Sequence, residues 1–302
     1  MSTSAEAFSD RALPGWSADD HQAALACYLI SADLLPGHWP RPGKESARSF
    51  FERAFLPRPA VAPALLTGYY EPELEGSPYT TARFCHALYA PPVGWQAAQP
   101  WASRTEIEEG NLLAGQELVW LDSPLEAFLA QVQGSVRVRL ADGRVWRFGF
   151  AGKHGHPYSS IGKELIRRGV LLENDASVAA IRDWAAQHPD QLTSLLRTNA
   201  SFVFFRPLDL PPESGPLGTL QRPVTPLRSI AVDPDHIPLG APVWVDWQGQ
   251  TRLMIAQDTG SAIKGPARGD IFFGSGAAAG ALAGALKAEG RMTPLLPKAD
   301  VP

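Results

Sequence analysis

The stretch Arg252-Leu253-Met254-Ile255-Ala256-Gln257-Asp258-Thr259-Gly260-Ser261 decides the reading of this chain. A short apolar run bounded by turn residues reads as a buried strand. It stops on Asp258, and Thr259-Gly260-Ser261 opens a loop. Asp270 opens the next apolar run, Asp270-Ile271-Phe272-Phe273. The intervening loop holds Gly260, Gly265 and Gly269, which let the chain return beside itself. Both carboxylates then fall at one edge of a cleft. Two carboxylates held close cannot both ionise easily, so one has a raised pKa and serves as an acid near neutral pH. An Asp at a strand end is equally an ordinary turn former or cap, and the spacing by itself leaves both readings open.

Working outward, Ser229-Ile230-Ala231-Val232-Asp233 and Pro242-Val243-Trp244-Val245-Asp246 are further short strands that end on carboxylates. Gly276 to Lys287 is the one helix expected in this last third. Towards the N-terminus, Asp19 to Leu34 and Ser46 to Phe55 have helical periodicity, and Ala64 to Tyr70 reads as a strand ended by Glu71-Pro72. From Ser77 to about Thr198 short strands alternate with turns. Ser135 to Leu140 and Val145 to Phe150 form a hairpin around Ala141-Asp142-Gly143. Arg137, Arg139, Arg144 and Arg147 read as its solvated face. Helices are expected from Ser123-Pro124 to Gln131, Ile161 to Gly169 and Ser177 to His188. Phe202 to Phe205 is a buried strand, followed by a Pro/Gly-rich stretch from Pro207 to Pro226.

Composition supports a mainly β chain with short helices. The 302 residues contain 27 Gly and 28 Pro, which argue against a helical bundle and for many turns. A hydrophobic share of 45% sustains a sizeable core, so general disorder is excluded. The net charge of −4 and the lack of any long Lys/Arg run leave no nucleic-acid footprint. No run of 18 apolar residues is present to span a membrane as a helix. Cys27 and Cys85 read as two buried free thiols. His154 and His156 read as loop or rim residues, and no metal-ligand spacing or cofactor motif is found.

A series of motifs carries a resemblance. It begins with Gly68-Tyr69-Tyr70-Glu71-Pro72, Val132-Gln133-Gly134-Ser135 and Ala151-Gly152-Lys153-His154-Gly155-His156-Pro157-Tyr158. It continues with Thr198-Asn199-Ala200-Ser201-Phe202-Val203-Phe204-Phe205, then Ser229 to Asp233 and Ile237 to Pro242. It ends with Ala256 to Gly265 and Gly269-Asp270-Ile271-Phe272. In this order they resemble the membrane-bound lytic murein transglycosylase A family, over about Leu66 to Gly276. The last third is similar to its three-aspartate domain, with Asp233, Asp258 and Asp270 at the three positions. The resemblance implies a double-psi β-barrel domain over residues 1–76 and 204–302. It also implies a smaller β-rich domain inserted at 77–203, and a groove between them for a glycan.

It further implies cleavage of the bond between N-acetylmuramic acid and N-acetylglucosamine in peptidoglycan glycan strands. The product would be a 1,6-anhydromuramic acid end, made without water or cofactor. Asp270 matches the catalytic acid/base position, and Asp258 stands nearby to raise its pKa or stabilise positive charge on the sugar. Thr67, Tyr69, Tyr70, Glu71, Gln133, Ser135, Lys264 and Asp233 are the implied substrate-binding residues. Ser261 and Val136 depart from the family pattern, where Gly is more common, and put subsite preference in doubt. The family's lipoprotein signal has no match near Met1, so a processed form is expected, periplasmic and anchored at the outer membrane only through a lipid. Cell-wall synthesis or division machinery is the implied protein partner. A hydrolytic, endoglucanase-like glycosidase and a non-catalytic glycan-binding module on the same barrel remain as rivals.

Overall fold

A computed structural model describes residues 4–96, 100–173 and 177–300. Its strands, in chain order, are β1 (Phe55–Pro57), β2 (Val61–Glu71), β3 (Glu73–Ser77), β4 (His86–Tyr89), β5 (Glu117–Leu121), β6 (Ser135–Arg139) and β7 (Val145–Lys153). They continue with β8 (Val203–Pro207), β9 (Ser229–Ala231), β10 (Pro242–Trp247), β11 (Gln250–Asp258), β12 (Arg268–Ser275) and β13 (Lys287–Pro297). The helices are α1 (Ser4–Ala7), α2 (His21–Ser31), α3 (Ala47–Ala54), α4 (Arg104–Glu109), α5 (Pro124–Gln133), α6 (Ile161–Arg167), α7 (Val178–Gln187), α8 (Pro189–Leu196) and α9 (Gly276–Ala285). Two compact units share them. The first is residues 1–70, 213–274 and 281–302; the second is residues 71–212 and 275–280.

In the first unit the sheet order is β1-β13-β10-β11-β9-β12-β2, and β13 also pairs with β2. The ring from β13 round to β2 therefore closes, with β1 outside it. Closure removes the open edges that a sheet otherwise exposes. Its interior fills with Leu66, Ile230, Val243, Val245, Met254, Ala256, Ile271 and Met292, all fully buried. This is the mainly β barrel expected from the sequence. Strand β9 pairs parallel to β11 and antiparallel to β12, so it sits between the two strands that carry Asp258 and Asp270.

Helix α2, capped by Asp20 accepting from Ala23 N at 3.0 Å, lies against this barrel. Gln257 fastens it. Its Nε2 donates to Cys27 O and to Ser31 Oγ, and its Oε1 accepts from Ser229 Oγ at 2.6 Å. Buried polar groups need such partners, and here they pin β11 and β9 one residue behind Asp258. Trp16 and Trp244 pack edge-on in the same core, so part of the Trp content is structural.

The second unit has a sheet of order β4-β5-β3-β6-β7-β8. The hairpin expected at Ala141-Asp142-Gly143 forms between β6 and β7, with Gly143 at a φ of 84°. Helices α5 to α8 add their own core of Phe128, Leu165, Ile181, Trp184 and Leu195, so this unit is more helical than its sequence texture indicates. Phe204, placed in the barrel by the sequence boundary at 203/204, lies in β8. That strand pairs with β7 and ends at Pro207 in this second sheet.

Several expectations are corrected. Cys85 is exposed, and only Cys27 is buried. His154 is fully buried rather than at a rim, and burial lowers its imidazole to about 4, which keeps it neutral. Arg147 is buried and Arg137 nearly so, because both turn to a carboxylate instead of solvent. Strand β13 has no counterpart in the sequence reading, since Gly290, Pro294 and Pro297 disguise it. It nonetheless pairs with β1, β10 and β2. Gly290 stands opposite both Trp247 and Ala64, and a Cβ there would meet Asp246 O at 2.4 Å and Leu66 Cδ1 at 2.6 Å. Gly290→Ala is expected to destabilise the chain by about 1–3 kcal/mol through overpacking. Gly284→Ala, in α9 with open space around it, is expected to stabilise by about 0.5–1 kcal/mol. Denaturant midpoints check both.

Candidate active site

Ala231 on β9 is the register partner of Asp258 on one side and of Asp270 on the other. Residues opposite one another in adjacent strands share a face, so both carboxylates project from the same side of the barrel wall. Their Cα atoms are roughly 10 Å apart, two strand spacings. Ala231, small and buried, separates them. Beyond β12, strand β2 brings Thr67 into this row.

Asp270 accepts a hydrogen bond at Oδ1 from Thr67 Oγ1. Its pKa rises from 3.8 to about 6. Loss of hydration is the largest cause; the Thr67 bond and the Arg268 charge oppose it, and the Asp258 charge adds the smallest contribution. The expected coupling of the two carboxylates is therefore secondary to burial. Asp258 is more heavily bonded. Tyr69 Oη donates to its Oδ2 at 2.9 Å, and its Oδ1 accepts from Thr219 N, Thr219 Oγ1 and Thr259 N at 2.9–3.0 Å. Burial raises its pKa as well, but these four donors oppose the rise because they favour the anion. Burial is also the first cause that lifts the Tyr69 phenol well above 10, so it stays a donor. Its ring packs on Phe272, with centroids 5.2 Å apart.

Thr219, Thr259 and Arg268 belong to this cluster, and the sequence reading gives none of them a role at the site. Gly218 permits the approach of Thr219: a Cβ there would lie 2.7 Å from Gln257 O. The three-aspartate pattern does not converge on one point of contact. Asp233, two residues past β9, accepts from Gly265 N at 2.7 Å and pairs with the exposed Lys264 at 3.3 Å. The Gly265 bond is the chief reason that its pKa is lowered. It holds the 264–265 turn, as a loop anchor does.

Glu71, Gln133 and Ser135 lie in the second unit. Glu71 corrects the expectation of a substrate-facing carboxylate. It is fully buried, and Arg137 Nε donates to it at 2.6 Å, Arg147 Nη2 at 3.1 Å and Ser275 Oγ at 2.7 Å. Two guanidinium groups consume its charge inside the fold. Ser135 is buried at the start of β6, and Gln133 ends α5 with partial exposure. Tyr70 is partly buried at the end of the first unit's share of β2. Among the described residues no group of His, Cys, Asp and Glu is arranged to hold a metal ion.

Comparison with known proteins places this arrangement. Residues 65–206 match the family described as the MltA specific insert domain, and residues 228–296 match the 3D domain. The membrane-bound lytic murein transglycosylase of Agrobacterium tumefaciens superposes with a TM-score of 0.85 at 32% identity, covering 96% of this chain and 97% of that one. The Escherichia coli MltA structure with bound chitohexaose gives a TM-score of 0.77 at 29% identity, covering 92% and 90%. The curated membrane-bound lytic murein transglycosylase A of Vibrio cholerae is 34% identical over 242 residues, 76% of this chain. The match spans 64% of that relative's length. These likenesses define a 3D-domain barrel protein with an inserted second unit. The chain belongs to the membrane-bound lytic murein transglycosylase A family.

Two stability measurements check the site. The raised Asp270 pKa means that the folded chain binds this proton more tightly than the unfolded chain does. Its contribution is full below about pH 4 and is lost as pH rises through about 6. Asp270→Asn is therefore expected to gain about 1–3 kcal/mol over the parent above pH 6, and nothing below pH 4. Glu71→Ala is expected to cost about 3–5 kcal/mol, since it strands the buried Arg147.

Proposed function

We propose that this chain is a lytic transglycosylase that cleaves the β-1,4 bond between N-acetylmuramic acid and N-acetylglucosamine in peptidoglycan without water. The observation that carries the proposal is the Asp270 carboxyl, held by burial at a pKa of about 6 at the edge of the Asp258–Ala231–Asp270–Thr67 row. Such a group donates a proton near neutral pH and takes it back. The proton passes from Asp270 to the glycosidic oxygen, the bond from that oxygen to C1 of the muramic acid breaks, and positive charge develops at C1. The sugar's own 6-hydroxyl oxygen then bonds to C1, and its proton returns to Asp270. The product is a 1,6-anhydro ring, and the carboxyl ends as it began. An intramolecular nucleophile also gains effective concentration over water.

Asp258, surrounded by donors that favour its anion, supports the developing positive charge. Tyr69 holds Asp258 rather than a sugar face, since its hydroxyl is committed there. Thr67 orients Asp270, while Tyr70, Gln133, Ser135 and Lys264 are assigned to substrate binding and Asp233 to the turn that presents Lys264. The barrel unit is the catalytic domain and the second unit a substrate-binding insert. Family membership supports peptidoglycan as the glycan, and the chitohexaose complex of the E. coli relative supports a linear amino-sugar chain as ligand. Among the described residues no helix is long and apolar enough to cross a membrane. The relatives' membrane-bound names support attachment to a membrane; we infer that this is by a lipid anchor at the outer membrane, facing the periplasm, with cell-wall synthesis or division machinery as the expected partner.

Digestion of purified peptidoglycan in H₂¹⁸O, followed by mass spectrometry, tests the reaction. Anhydro ends without ¹⁸O are expected, with the rate falling as pH rises through about 6. Asp270→Asn is expected to lose on the order of 10³-fold in rate or more. Reducing ends carrying ¹⁸O would establish a hydrolase instead, and tight binding with no fragments would establish a binding module.

A further inference from the structure

The acid/base carboxyl does two opposed jobs on the reading above, and on that reading the following rests. It must hold a proton before the glycosidic bond breaks, then persist as a buried anion until the 6-hydroxyl proton arrives. Burial serves only the first job. A buried carboxylate without compensation is costly, so the second needs a group that stabilises the anion without sitting on the carboxyl itself.

Arg268 lies two residues before Asp270 on the same strand, so their side chains project from the same face. Its guanidinium is fixed by three acceptors. Nη1 donates to Leu65 O at 3.3 Å and to Gly269 O at 2.6 Å, and Nη2 donates to Thr67 Oγ1 at 2.8 Å. Thr67 in turn donates to Asp270 Oδ1. The order of donors has a chemical consequence. Arg268 occupies a lone pair of the Thr67 oxygen, so the hydroxyl hydrogen is directed onto Asp270 Oδ1. Oδ1 is thereby an acceptor, and the transferable proton resides on Oδ2. The arginine charge is felt at the carboxyl through one intervening hydroxyl, near enough to favour the anion but not bonded to it. A direct Arg–carboxylate pair would hold the anion more strongly and deprive the site of its acid.

We propose that Arg268 is a positioning residue that acts through Thr67, fixing the acidic proton on Oδ2 of Asp270 and stabilising the Asp270 anion between the two proton transfers. The charged and titratable groups facing Asp270 bear this out as a division of labour. Arg268 on β12 favours the anion, Asp258 on β11 disfavours it, and Tyr69 on β2 is neutral and engaged by Asp258. Nothing local in the sequence marks Arg268, because its partner Thr67 stands 201 residues away.

The test combines a titration with kinetics in the full chain. Asp carboxyl carbons are labelled with ¹³C, the Asp270 resonance is assigned by its loss in Asp270→Asn, and it is followed by NMR against pH. Arg268→Gln is expected to raise the Asp270 midpoint by about half to one pH unit, the effect of removing a nearby, partly screened charge. It is also expected to lower kcat roughly 10- to 100-fold with KM little changed. Arg268→Lys keeps the charge but not the three-way fork, and is expected to restore the midpoint more than kcat. Thr67→Val combined with Arg268→Gln is expected to cost no more than Thr67→Val alone, since both break one relay. An unchanged Asp270 midpoint in Arg268→Gln, or additive losses in the double variant, would overturn the proposal. If the parent chain releases no anhydro product, the proposed function fails, while the titration still decides whether Arg268 acts on Asp270 through Thr67.

Discussion

A carboxyl group in the wall of a closed β-barrel must either keep its proton or have its charge matched, because water no longer solvates it. That constraint organises the site. Asp270 keeps its proton up to a pH of about 6, with one hydroxyl donor on Oδ1. Asp258, on the other side of Ala231, receives four donors. Burial raises the pKa of both residues, which stand on either side of Ala231, but their surroundings oppose it with different sets of donors. Glu71 shows the third solution. It is buried completely in the second unit, and two arginines match its charge, leaving nothing for chemistry.

The barrel supplies what this division needs. Register fixes the spacing: β9 contributes a single small residue between the carboxylates, and closure of the ring through β13 and β2 brings Thr67 to the end of the row. The rear of β11 is locked by Gln257, whose amide spends its hydrogen bonds on α2 and β9. A site built on strands and supported behind by satisfied polar groups holds its geometry better than one built on loops. Two donors come from loops: Thr259 follows Asp258 directly, and Thr219 enters through Gly218 at a distance that no side chain would permit.

Much of this was legible in the sequence, for physical reasons. Short apolar runs with an Asp at one end gave β9, β10, β11 and β12 to within about two residues at each end, and Asp258 and Asp270 with them. Turn residues gave the β6–β7 hairpin. What escaped was set by distant partners. Strand β13 carries Gly290 and two prolines and earns its place only by pairing with three strands from elsewhere in the chain. Thr219 lies in a Pro/Gly-rich stretch and meets Asp258 across 39 residues. Glu71 follows two tyrosines in a motif that invites a substrate-facing role, yet its arginine partners stand 66 and 76 residues away. Helix α4 was within reach, since Ser103 and Glu106 form a capping box that the sequence displays.

Burial, rather than the neighbouring carboxylate, is what raises the Asp270 pKa to about 6. The most direct measurement is the ¹³C-carboxyl titration of Asp270 in the parent chain and in Asp258→Asn. A midpoint near pH 6 is expected, falling only slightly when the Asp258 charge is removed. A midpoint near 4 in the parent, or a return to the ordinary aspartate range in Asp258→Asn, would contradict it.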